Sequence, residues 1–197
     1  KGIFKEFTNL LNNIKKEKQK LVESLDSHGL AILNFDSEPV CEMASVSQAR
    51  VMSFSLNHQS DIKAQDIIYN FSRDGYELSG INFKLNYQGS IVPVFMKNVM
   101  SEPALYASLA AAAVGLHFKM NLVEIADSLS DFSLPAGRMN VLPGIKHSFI
   151  IDDTYNSSPE ACLAALDVLG KLRISEDGKK YAVLGDMAEI GAYTEEG

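Results

Sequence analysis

The run Phe149-Ile150-Ile151-Asp152-Asp153-Thr154-Tyr155-Asn156-Ser157-Ser158-Pro159 constrains the fold more than any other stretch of this chain. An apolar strand ends in two carboxylates and passes directly into a helix with Ser158 as N-cap and Pro159 as first residue. Strand, polar turn and capped helix in that order are the unit of an open α/β sheet, whose ligands sit outside the carboxyl ends of the strands. A helix beginning there offers backbone N–H groups to an anion. An ordinary strand-turn-helix junction has the same pattern, so the pattern alone leaves both readings open.

The rest of the chain supports an α/β class. The spacing of Phe7, Leu11, Ile14, Lys18, Leu21 and Leu25, by alternating steps of four and three, predicts a helix over 4–27 with one apolar stripe. Lys18 falls inside that stripe, where a buried amine must snorkel, pair or change its chemistry. After Gly29, residues 30–35 form a nearly continuous apolar run of the buried parallel-strand type. Pro39 opens a short helix to about Val46, and 50–55 is the next strand. From Asp66 to Met96 the period becomes two, with turns at Asp74-Gly75 and Gln88-Gly89, which predicts antiparallel hairpins as a subsidiary sheet. Helices follow over 102–117 and 122–129. Pro135-Ala136-Gly137-Arg138 and Pro143-Gly144 bracket a domain boundary, after which strand 147–152, helix 159–172 and strand 180–185, ending at Asp186, read as a βαβ unit.

Composition excludes several classes. With 197 residues and 46% hydrophobic content the chain can build one large or two small globular domains. Its net charge of −7 argues against nucleic acid as a partner, and the lysine cluster at 15, 16, 18 and 20 is interrupted by Glu17. No apolar run reaches membrane-spanning length, and the first residues lack a signal-peptide pattern. Cys41 and Cys162 stand far apart and suit a reducing cytoplasm; His28, His58, His117 and His147 are too scattered for a zinc site of usual spacing.

In order and spacing, Gly137-Arg138-Met139, then Ile151-Asp152-Asp153-Thr154-Tyr155-Asn156-x-x-Pro159, then Val183-Leu184-Gly185-Asp186-Met187-Ala188-Glu189-Ile190-Gly191 resembles the Mur ligase family. The Asp-Asp-Thr-Tyr-Asn run is similar to that of members adding D-alanyl-D-alanine to a UDP-N-acetylmuramoyl-tripeptide. Upstream, Glu17-Lys18-x-Lys20-Leu21 through Gly29-Leu30-Ala31-Ile32-Leu33-Asn34-Phe35-Asp36 resembles the segment following the nucleotide-binding core of the family's central domain. The resemblance implies that 1–136 is the latter part of a central ATPase-type domain, with parallel strands and a small antiparallel sheet. Residues 137–197 then begin a Rossmann-like C-terminal domain.

It further implies an ATP- and magnesium-dependent ligase of cytoplasmic peptidoglycan precursor synthesis, monomeric, forming an amide bond through an acyl phosphate. Lys18 aligns with the lysine that becomes carbamoylated and holds magnesium, Arg138 with the arginine reaching the ATP phosphates, and Asp153 with the carboxylate contacting the ribose. Tyr155 and Asn156 would line the same site. Asn34 and Asp36 would shape a strand end, and Asp186 and Glu189 would stand near the interdomain cleft, with structural and contact roles both open.

Two departures qualify the carry-over. The chain has no Gly-x-x-x-x-Gly-Lys-Ser/Thr phosphate loop, so this piece alone is expected to be inactive. Ser101-Glu102-Pro103-Ala104-Leu105-Tyr106-Ala107 stands where the family has a Gly-x-His-Asn-x-x-Asn run, so the asparagine expected near adenine is replaced. Another amino-acid-adding Mur ligase, or a non-catalytic ligase-like binding domain, is the alternative.

Overall fold

The computed structural model describes residues 2–71, 78–146, 148–172, 174 and 176–187. It is an α/β chain with one mixed sheet and one small antiparallel sheet. Helix α1 (Gly2–Glu23) is followed by strand β1 (Leu30–Asn34), a short helix α2 (Glu38–Cys41) running into a 3-10 turn (Glu42–Val46), and strand β2 (Arg50–Ser55). Pro39 stands in the first turn of α2, where a missing N–H costs nothing.

The stripe on α1 forms, but its burial is reversed. Leu11, Ile14 and Leu21 are 49%, 47% and 67% exposed, and Lys18 is exposed with them. The inward side instead carries Lys15, Gln19 and Val22, spaced by four and three. Val22 inserts among Ala31, Leu33 and Met43, and Lys15 forms an ion pair with Glu42. Spacing tells which residues share a helix face; it does not tell which face meets a partner. Here the apolar anchor Val22 and the Lys15 pair fix the rotation. Lys18 is therefore not a buried amine among the described residues.

β1 pairs in parallel with β2 along its whole length, from Leu30 opposite Arg50 to Asn34 opposite Phe54. Strand β3 (Ile62–Phe71) pairs in parallel with β2 only at Phe54 opposite Ile62 and Ser55 opposite Lys63. A six-residue connection suffices because β3 starts beside the end of β2 and runs on beyond it, so no crossover is needed. Strand β4 (Leu78–Tyr87) and strand β5 (Ser90–Lys97) complete a sheet of order β1-β2-β3-β4-β5. Gln88 and Gly89 join the last two, both at positive φ (51° and 84°), the geometry of a tight antiparallel hairpin turn. The hairpin strands thus continue the parallel strands in one mixed sheet and do not form a separate one. The turn predicted at Asp74-Gly75 lies outside the described residues.

Helix α3 (Glu102–His117) and helix α4 (Leu122–Ser130) follow, then strand β6 (Asn140–Pro143), strand β7 (Phe149–Asp152) and helix α5 (Pro159–Lys171). β6 and β7 make the small antiparallel sheet, with Asn140 opposite Asp152 and Pro143 opposite Phe149. No sequence signal marked β6. The strand predicted over 180–185 is not formed: the segment is irregular, with Tyr181, Val183 and Leu184 at 75%, 96% and 65% exposure. Strand formation needs a paired edge, and among the described residues none takes this segment up. The parallel βαβ unit expected after β7 is accordingly replaced by an antiparallel pair.

Two compact units result, one of Lys1–Gln65, Lys84–Val92 and Tyr106–Ile125, the other of Asp66–Phe83, Pro93–Leu105 and Ala126–Gly197. Ile62, Leu85 and Leu109 are fully buried in the first, as are Ile81, Met96 and Met100 in the second. Complete burial of such a side chain contributes about 1.5–3 kcal/mol each. Gly80 of β4 has φ +146°, and a Cβ there would lie 2.2 Å from the Met96 carbonyl oxygen, so the close approach of β5 requires glycine.

Candidate functional site

The junction after β7 is held by short-range hydrogen bonds. Asp152 Oδ1 accepts from the Thr154 amide (3.2 Å) and hydroxyl (2.7 Å), closing the turn in the manner of an Asx motif. Ser158 Oγ accepts from the Ala161 amide at 3.2 Å, and Pro159 occupies the first turn of α5, as the sequence predicts. Asn156 spends its Oδ1 on the Ser157 amide, 2.8 Å away.

The 137–139 loop lies against this turn. The Tyr155 amide donates to the Gly137 carbonyl (3.1 Å), and the Met139 amide donates to Asp153 Oδ1 (3.1 Å). Gly137 has φ +71°, and a Cβ there would stand 3.0 Å from the Tyr155 nitrogen. Met139 is buried with φ +53°, a conformation costing an L-residue about 1–2 kcal/mol. Between these two anchors the Arg138 guanidinium stacks over the Tyr155 ring, 4.2 Å from its centroid. Arg138 and Tyr155 are both exposed, and Asp153 is half-buried. The structure therefore brings Arg138, Asp153 and Tyr155 together, places Asn156 one residue on, and leaves Lys18 in the other compact unit. Asp186 is exposed in the irregular segment, and Glu189 lies outside the described residues.

A second polar network was only partly legible. Two residues past β1, the side chain of Asp36 is 7% exposed. It accepts from the amides of Leu56, Asn57 and His58, from His58 Nδ1 at 2.7 Å, and from the Tyr106 hydroxyl at 3.1 Å. Burial would raise this carboxyl, but hydrogen bonds from Leu56, from the His58 ring and from the His58 and Asn57 amides outweigh it and hold the pKa at about 2. Asn34 Oδ1 accepts the Asp36 amide at 2.9 Å, so both residues do shape the strand end. Next to it, Ser53 of β2 is buried and shares its amide and hydroxyl with Asp61 Oδ2, at 2.8 and 2.7 Å. The apolar run closing on Asn-x-Asp was the available signal; its partners 20 residues later were not.

Further sites are sparse. A polar cavity of 330 Å³ in the first unit is lined by Lys63, Gln65, Asn86 and Gln88 among others, and contains none of the sequence-predicted site residues. At the start of α3, Ser101 and Ala104 are both 4% exposed, whereas Glu102, Pro103 and Ala107 of the replaced run are exposed. Among the described residues no three His, Cys, Asp or Glu side chains converge as a metal site. No helix among them is long and apolar enough to cross a membrane.

These features define an α/β protein whose parallel strands carry a buried carboxylate network at their carboxyl ends and whose second unit presents an arginine on an aromatic platform. The profile of the Mur ligase middle domain matches residues 6–115, and the chain belongs to the Mur ligase family. It is 29% identical over 181 residues to the UDP-N-acetylmuramoyl-tripeptide–D-alanyl-D-alanine ligase of Mycobacterium tuberculosis, covering 90% of this chain and 34% of that protein. The ligase of the same description from Escherichia coli is 28% identical over 187 residues, covering 94% of this chain and 39% of its own length. Among solved structures, MurF from Acinetobacter baumannii superposes with a TM-score of 0.80 at 25% identity over 94% of this chain and 38% of that one. MurF of Thermotoga maritima in complex with ADP has the same fold, with a TM-score of 0.77 at 22% identity, over 94% of this chain and 40% of that one. The chain thus spans between a third and two fifths of the length of the curated relatives described here.

Proposed function

We propose that this chain is part of an ATP-dependent ligase that adds D-alanyl-D-alanine to a UDP-N-acetylmuramoyl-tripeptide in cytoplasmic peptidoglycan precursor synthesis. In that protein 1–136 would be the latter part of the central ATPase-type domain and 137–197 the beginning of the Rossmann-like C-terminal domain, acting as a monomer. The observation that carries the reading is the junction itself, where an exposed arginine is stacked on an aromatic ring beside a strand-end aspartate. The names of the relatives supply the amide-forming chemistry and the two substrates.

The residues present fit a nucleotide. Arg138 has in-plane N–H donors suited to phosphate oxygens, Asp153 uses only Oδ1 among the described residues, and Tyr155 and Asn156 complete the wall. ATP would supply the phosphoryl group that turns the acceptor carboxylate into a leaving-group-bearing acyl phosphate. The chain's own part is to hold that anion and orient it. The described side chains do not by themselves fit magnesium, since no carboxylate cluster faces an ion and Lys18 stands alone on an exposed stripe. We assign Lys18 as the carbamoylated lysine on the family resemblance alone, its uptake of carbon dioxide to be read by native mass spectrometry in bicarbonate.

The deciding experiment incubates the full-length gene product with ATP, magnesium, UDP-N-acetylmuramoyl-tripeptide and D-alanyl-D-alanine. The expected products are the pentapeptide, ADP and inorganic phosphate, with no coupling when diaminopimelate replaces the dipeptide. Coupling of diaminopimelate to UDP-N-acetylmuramoyl-L-alanyl-D-glutamate, with none of the dipeptide to the tripeptide, would point to a sister ligase. No turnover at all would favour a non-catalytic binding domain, the reading that the replaced asparagine run at 101–107 supports.

A further inference from the structure

We infer that Tyr155 is a positioning residue: it holds the Arg138 guanidinium by its flat face, so that the in-plane N–H donors stay available for an oligophosphate anion. The inference deepens the nucleotide reading of the junction and rests on it. An arginine can be aimed by a carboxylate, which consumes donors, or by a ring beneath it, which consumes none. Here the second arrangement is built. The guanidinium carbon lies 4.2 Å from the ring centroid, and among the described residues no carboxylate pairs with Arg138.

The backbone brings the two residues side by side. On one side of Arg138 the Gly137 carbonyl accepts the Tyr155 amide; on the other, the Met139 amide is tied to Asp153 Oδ1. Arg138 is thereby pinned above residue 155 by two hydrogen bonds that involve neither its own side chain nor the ring. Gly137 at φ +71° allows the approach, and Met139 keeps φ +53° while its side chain is buried. The ring itself is 70% exposed. Such an aromatic gains little from burial, so its contact with Arg138 is what the turn uses it for.

The test uses the full-length gene product with two probes, inorganic tripolyphosphate and ATP, titrated calorimetrically. Tyr155→Ala and Tyr155→Leu should each weaken tripolyphosphate binding about threefold to fivefold, while Tyr155→Phe stays within about twofold. In an Arg138→Ala background the Tyr155→Ala change should add nothing. The Arg138 Hδ protons should be ring-current shifted upfield in the free chain and in Tyr155→Phe, and lose that shift in Tyr155→Leu. If Tyr155→Leu weakens ATP binding but leaves tripolyphosphate untouched, the ring contacts the nucleoside and the inference is overturned. Binding that is lost with Arg138→Ala yet indifferent to every Tyr155 variant also overturns it, and leaves the nucleotide reading standing. If the unmodified chain binds neither probe, both fall together.

Discussion

Asp36 and Asp153 both follow an apolar strand, and on paper they are the same feature. In the fold they have opposite fates. Asp36 keeps its side chain 7% exposed among three backbone amides, an imidazole and a phenol, with its pKa drawn down to about 2. Asp153 is half-buried, and a single amide is its one partner among the described residues. A carboxylate whose acceptor capacity is filled by its own chain stabilises the fold and has little left for a ligand. One with an oxygen uncommitted among the described residues, beside an arginine that no described carboxylate pairs, is available for binding.

That contrast can be broken most directly at Asp36. Asp36→Ala orphans amides at the end of β2 and should cost about 3 kcal/mol, read as a lowered urea midpoint. Acid should expose the same dependence with a defined sign. The folded-state pKa lies below the ordinary 3.8, so the contribution is whole above pH 3.8 and is lost as pH falls through about 2. Its size is about 2 kcal/mol, and Asp36→Asn should flatten that part of the stability–pH curve. An unchanged curve in Asp36→Asn would mean that the network is not electrostatic.

At the junction the effects should be smaller and fall on binding. Gly137→Ala forces a side chain into positive φ against the Tyr155 backbone, at about 1–2 kcal/mol by thermal unfolding, and should detach Arg138 from its ring. Asp153→Ala should cost only about 1 kcal/mol of stability, since one hydrogen bond is lost in a half-buried place. ATP affinity should fall clearly in that variant while the fold persists. A loss of stability equal to that of Asp36→Ala would erase the distinction between the two strand ends.

Much of this architecture was legible because it depends on local chemistry. The Ser158 cap and Pro159 start α5, the apolar runs place β1 and β2, and of the alternating Phe83, Leu85 and Tyr87 the first two give β4 its buried face. The strand read over 180–185 was a miss, because pairing is not a property of one segment and this one stays irregular.

By itself the sequence determined the helices, the strands up to β5 and their order, the family, and which residue types stand at the strand ends. Tertiary structure decided which face of α1 turns inward, leaving Lys18 outside, because a helix pattern is symmetric until a partner such as Met43 or Glu42 breaks the choice. It also decided that the hairpins extend the parallel sheet and that β7 finds β6 as an antiparallel neighbour. The division of labour between Asp36 and Asp153 belongs to the same level. What fills a carboxylate's acceptors is set by residues 14 to 70 positions away, a matter of long-range proximity that no local spacing encodes.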